Sequence, residues 1–183
     1  CSWPVRWGDD GASKMVKVYS NCEEAELFVN GKSFGSRKRN SQDFPAAGLR
    51  WQVPMSKGKY TIKVVAKSGK TVVTDEITQE YQTEKWDKPT QLVLNKISEE
   101  NGVATIEVKA LDNKNILCLD AINSVEFLLA GDGKLIDNQG TSSGSRKVQL
   151  YNGRAIIKVM TLGGSSVAGV KSQGLKTVFL DLR

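Results

Sequence analysis

The chain has 183 residues, enough for one large domain or two of roughly 90 that each bury a core. Its charged fraction of 25% and apolar fraction of 39% are those of a globular protein, and no apolar run approaches the roughly 20 residues of a membrane-spanning helix. The net charge of +6 is spread along strands, as at Lys17, Lys63, Lys109 and Lys158, so neither a nucleic acid nor a membrane is an expected partner. Its densest knot, Arg37-Lys38-Arg39, reads as a solvated loop.

In chain order, Trp3 and Trp7 flank Pro4 ahead of the first strand pattern. The opening Cys1-Ser2-Trp3-Pro4 is neither a signal peptide nor an initiator methionine, and it reads as a cut from a longer protein. Val16 and Val18 then alternate with Lys17 and Tyr19. Ala25, Leu27 and Val29 alternate with Glu24, Glu26 and Phe28 up to an Asn30-Gly31 turn signal. Leu49, Trp51 and Val53 form a short strand expected to stop at Pro54. Tyr60, Ile62, Val64 and Ala66 continue the pattern, and Ser68-Gly69 turns the chain into a strand from Thr71 to Tyr81.

A polar stretch, Glu84 to Thr90, contains Pro89 and interrupts the pattern. It divides the chain into a first sandwich over 1–84, a linker over 85–90 and a second sandwich over 91–183. The second half repeats the grammar. Leu92 and Leu94 are followed by Ala104, Ile106, Val108 and Ala110, then by Val125, Phe127 and Leu129. Asn152-Gly153 turns into Ala155, Ile157 and Val159, and Thr177–Leu182 closes the chain. Gly140 to Ser145 is a loop by composition. One phrase occurs twice: Glu26-Leu27-Phe28-Val29-Asn30-Gly31-Lys32 returns 100 residues later as Glu126-Phe127-Leu128-Leu129-Ala130-Gly131-Asp132-Gly133-Lys134. Both copies read as a strand entering a glycine turn closed by a lysine. Strands every 8 to 12 residues, with no helical period, predict an all-β protein of two tandem immunoglobulin-like or fibronectin-like sandwiches.

The chain has no histidine, which excludes Ser-His-Asp and Cys-His nucleophile systems and imidazole proton transfer. No phosphate-binding loop is present, no metal site is expected from three scattered cysteines, and no cofactor is implied. Cys22 and Cys118 sit among apolar strand residues and read as free, buried thiols. Glycoside hydrolysis needs only two carboxylates, but Asp9-Asp10, Glu23-Glu24 and Glu99-Glu100 are sequence neighbours, and on extended chain neighbours point to opposite faces. No residue is therefore expected to be catalytic. The aromatics are better candidates for a ligand or a docked domain: Trp3, Trp7 and Trp51 serve either as packing residues or as platforms for a sugar ring.

Val16 to Ser33, with its Val18-Tyr19-Ser20-Asn21-Cys22 and Glu26-Leu27-Phe28-Val29-Asn30-Gly31-Lys32 phrases, resembles a stretch of family-2 glycoside hydrolases that follows the catalytic barrel in β-galactosidase-like members. Trp51-Gln52-Val53-Pro54 with Gly58, and Gly69-Lys70 with Thr74-Asp75-Glu76, fit the same stretch. The second half is similar to the immunoglobulin-like module that often comes last in these enzymes. It departs from many relatives at Asp137-Asn138-Gln139-Gly140, where they show a Gly-Asn-Gly loop. The resemblance implies a non-catalytic C-terminal pair of domains whose partners are the N-terminal catalytic domains of the same chain. An alternative is a carbohydrate-binding module holding a β-linked glycan, and a third class, a cell-surface adhesin, fits the fold but not the Tyr19–Lys32 phrase. The family keeps both catalytic glutamates in the barrel, so none is carried onto this chain. The resemblance also implies a parent enzyme that is periplasmic or secreted.

Overall fold

The computed structural model describes residues 6–40, 48–136 and 146–182, and its secondary structure is strand throughout. It divides into two compact units, Cys1–Lys85 and Trp86–Arg183.

The first unit holds β1 (Ala12–Val18), β2 (Glu24–Val29), β3 (Lys32–Lys38), β4 (Leu49–Met55), β5 (Gly58–Ser68) and β6 (Thr71–Tyr81). β1 pairs with β4 in one sheet, and the order β3-β2-β5-β6 makes the other, all antiparallel. The period-two alternation puts Val16 and Val18, Ala25, Leu27 and Val29, Trp51 and Val53, and Ile62, Val64 and Ala66 into one core between the sheets. On the outer side of the four-stranded sheet, Glu24 stands opposite Lys67, Lys63 opposite Glu76 and Lys59 opposite Glu80. Charges of opposite sign thus alternate across that face.

Two expectations change. Arg37 and Lys38 lie in β3, not in a loop. Their charges line a strand that pairs only with β2 among the described residues, and lysine or arginine on an edge discourages pairing with another sheet. β4 continues through Pro54, which stands opposite Ser13. Among the described residues β4 pairs only with β1, so it is an edge that tolerates a missing N–H. Trp7 lies outside the strands, as read, and forms an isolated parallel bridge with Gln82.

The second unit holds β7 (Gln91–Glu100), β8 (Val103–Leu111), β9 (Ser124–Ile136), β10 (Lys147–Gln149), β11 (Arg154–Ser172) and β12 (Leu175–Leu182). They form one hydrogen-bonded sheet of order β10-β9-β11-β8-β7, with β12 also on β11. The first half of β11 pairs with β8, its second half pairs with β12, and β9 follows it along both halves. The register of β9 against β11 shifts between Thr161 and Ser166, and beyond that break β11 exchanges neighbours. Extra residues of this kind bend a strand and increase its twist. The folded sheet closes on a core of Leu92, Ile106, Val108, Val125, Phe127, Ile157, Val159, Val170 and Leu182. The second copy of the repeated phrase therefore does not turn: β9 runs through Gly131-Asp132-Gly133 to Ile136. The loop expected at 140–145 and the Asp137–Gly140 departure lie outside the described residues.

The polar stretch expected to be a linker is fastened to the second unit. Trp86 packs against that core and its Nε1 donates to Asp120. The N–H of Asp87 donates to Asp112 at 2.9 Å, and that of Thr90 donates to the carbonyl of Leu111.

Candidate functional site

Of the three tryptophans singled out by sequence, Trp51 is a core residue. It alternates inward on β4, is 2% exposed, and its Nε1 donates to the Gly35 carbonyl at 2.8 Å. Arg37 carries its guanidinium 5.9 Å from the ring centroid, a cation–π contact that closes the outer side. A buried indole with its N–H satisfied is packing, and it offers no open face to a sugar. Trp7 is half-buried. Backbone bonds hold it beside the end of β6: Gln82 donates to the Arg6 carbonyl at 2.9 Å, and Gly8 donates to the Gln82 carbonyl at 3.2 Å. The Lys85 ammonium stands 4.7 Å from its ring centroid. Trp51 rests on β3 and Trp7 on the end of β6, so the two do not build one platform. Trp3 lies outside the described residues.

Members of the acidic pairs are engaged in local structure. The Tyr81 hydroxyl donates to the backbone carbonyl of Asp9 at 3.1 Å, and an Asp10 oxygen accepts from the Lys57 N–H at 3.2 Å. Glu24 faces Lys38 and Lys67 across its two neighbouring strands. Glu99 holds the Lys96 ammonium at 2.7 Å, and this hydrogen bond and charge keep its carboxyl below the usual carboxylate range. Among the described residues no three of the Asp, Glu and Cys side chains gather as a metal site would require.

A cavity of about 260 Å³ opens where β1 ends, lined by Val18, Tyr19, Asn21, Cys22, Val64 and Asp75 among others. Its walls mix apolar and polar side chains, and Cys22 is buried there as a free thiol.

Sequence reasoning missed two features of the second unit. The first is Asp112, a fully buried carboxylate at the end of β8. One oxygen accepts from the N–H groups of Lys114 and Ile116 at 2.8 and 2.9 Å, the other from Asp87. Burial alone would raise its pKa. The three backbone donors and the Lys114 charge outweigh burial and hold the carboxyl below its ordinary range. Beside it, burial and the charges of Asp112, Asp120 and Asp87 push the Cys118 thiol up to about 11. Such a thiol is inert near neutral pH. The Asp112-Asn113-Lys114-Asn115 composition signals this turn. The second feature is Phe179, an aromatic residue 68% exposed on the outer face of β12. Nothing in the sequence marks it until the strand register is known.

This all-β chain is similar to parts of known enzymes. Residues 11–73 match a family described as a domain of unknown function, DUF4982. The chain is 51% identical to a β-glucuronidase of known structure from Parabacteroides merdae, with a TM-score of 0.85 over 99% of this chain and 24% of that one. It is 44% identical to β-glucuronidase 3 of Bacteroides uniformis, with a TM-score of 0.84 over 99% of this chain and 23% of that one. The β-galactosidase BoGH2A of Bacteroides ovatus is 32% identical over 96% of this chain and 21% of its own length. The chain thus spans between a fifth and a quarter of these relatives. It corresponds to an accessory β-sandwich region of family-2 glycoside hydrolases.

Proposed function

We propose that this chain is the non-catalytic C-terminal region of a family-2 glycoside hydrolase that removes β-glucuronosyl or β-galactosyl groups with retention, and that it packs on the catalytic barrel and shapes the cleft. The observation that carries this reading is a match over 99% of the chain to only 24% of a β-glucuronidase. Retaining hydrolysis needs two carboxyls roughly 5 Å apart across one glycosidic bond. Trp7 and Trp3, near the first strand of the first sandwich, are the residues proposed to seat against the barrel. The partners are accordingly the catalytic domains of the same parent chain.

The test compares the isolated chain with a longer parent carrying a barrel, on an aryl β-glucuronide and an aryl β-galactoside. The fragment shows no turnover. Deleting this region from the parent, or replacing Trp7 by Ala within it, lowers stability or kcat/KM without abolishing the chemistry. Turnover by the fragment that survives repurification and disappears on mutating one of its acidic residues overturns the reading.

A further inference from the structure

The outer face of the second sandwich carries a feature that its core does not need. Thr177, Phe179 and Asp181 point outward from β12, because Val178, Leu180 and Leu182 point into the core. Phe179 stands directly opposite Gly169 of β11, and Gly169 stands opposite Leu128 of β9. Gly169 is on the outward phase of β11 and yet is buried. The Phe179 ring covers it: a Cβ at that position would stand 3.1 Å from two ring carbons. One edge of the ring thus meets the sheet where a side chain is missing, and the rest of Phe179 stays open to solvent. Val167, 37% exposed, and the half-buried Leu128 extend the apolar area. Asp181, Thr177 and the Lys171–Glu126 ion pair at 3.2 Å supply donors and acceptors around it.

We propose that this face is a carbohydrate-binding site on which Phe179 stacks against a pyranose ring of a β-linked glycan. The class of ligand rests on the glycoside-hydrolase reading above, and the platform itself does not. An aromatic face is electron-rich and attracts the polarised C–H groups on one side of a pyranose. The exposed apolar area of Phe179 and its neighbours is roughly 200 Å², about that of one aromatic side chain. That fits one or two sugar rings and falls well short of the roughly 800 Å² per partner of a stable protein interface. The polar groups at its border match the few placed hydrogen bonds by which small-ligand sites orient what they hold.

The experiment is affinity gel electrophoresis of the 183-residue chain through β-1,4-galactan and, separately, glucuronoxylan, with thermal unfolding and sedimentation of every variant. At least one polysaccharide retards the wild-type chain. Phe179→Ala weakens retardation by about tenfold or more, the loss of one stacking contact. Gly169→Ala, which keeps the aromatic but pushes it off the sheet, also weakens it, while Phe179→Tyr retains it. No retardation in either gel, or equal retardation of wild type and Phe179→Ala, overturns the proposal. So does a chain that self-associates through this face, becomes monomeric in Phe179→Ala and ignores both polysaccharides, which assigns the patch to protein docking. Each of these failures leaves the test on the parent enzyme untouched.

Discussion

The same phrase, a strand followed by glycine and lysine, is used for opposite purposes in the two halves. At Asn30-Gly31 the chain reverses: both residues are left-handed, with φ of 50° and 78°, and β2 returns as β3. Two left-handed residues suit the right-handed twist of the flanking strands. No atom lies near the position a Cβ on Gly31 would take. At Ala130-Gly131 the chain goes straight on. A Cβ on Gly131 would stand 2.4 Å from the Ser165 carbonyl oxygen, and one on Gly133 would stand 2.9 Å from that of Met160. Here glycine lets β9 pass close to β11 where their register shifts. One glycine is chosen for its dihedral angles, the other also for its lack of a side chain. The downstream chain decides which: Leu135 resumes a buried position in β9, whereas β3 after Gly31 stays at an exposed edge.

The largest effects are expected where the two copies do agree. Leu27 is fully buried and Phe127 is 1% exposed, each in its own core. Phe127→Ala should cost about 3–5 kcal/mol and Leu27→Ala about 2–5 kcal/mol. Because each unit has its own core, Leu27→Ala should lower only the unfolding transition of the first and Phe127→Ala only that of the second. Urea unfolding followed at unit-specific probes reads this. Equal losses in both transitions from either substitution would show that the halves unfold as one body, and that the boundary at Lys85 is only geometrical.

The glycines sharpen the contrast at smaller cost. Gly131→Ala must relieve both a left-handed φ of 97° and a collision with the neighbouring backbone. Strain and overpacking together amount to about 2–4 kcal/mol. Gly31→Ala meets only the dihedral strain, so about 1–2 kcal/mol is expected. The order of these two values in denaturant titrations is the measurement. If Gly31→Ala proves the more damaging, the account of why β9 needs glycine fails.

Alternation made much of this legible in the sequence. Where one face of a strand is buried and the other is solvated, period two names the inward residues directly, as it does for Val16, Leu27, Ile62, Ile106 and Phe127. It does not reveal where a strand ends, because a glycine in a turn and a glycine at a close approach look alike in one dimension. The neighbour exchange along β11 and the covering of Gly169 by Phe179 depend on pairing between residues distant in sequence. Trp51 was legible only as a choice between packing and platform, and its bond to the Gly35 carbonyl depends on how β3 and β4 approach. Histidine absence and adjacent acid pairs, by contrast, are purely local facts.

The smallest expected effect separates the two units by pH. The second unit holds Asp112 ionised by three backbone donors, and a carboxyl held below its ordinary range binds a proton less tightly folded than unfolded. Its contribution is therefore fully present above the ordinary carboxylate range and is lost as pH falls through the folded value. Acidification from neutral pH should thus weaken the second unfolding transition through Asp112, in addition to any general charge effect shared by both. Asp112→Asn keeps an oxygen for the Lys114 and Ile116 donors but turns an amide toward the Asp87 N–H, so it should lower stability at neutral pH and flatten the acid dependence of that transition alone. Thermal unfolding of wild type and variant across the acid range is the check. An unchanged slope would mean that the backbone donors around Asp112 hold the loop but do not set its protonation.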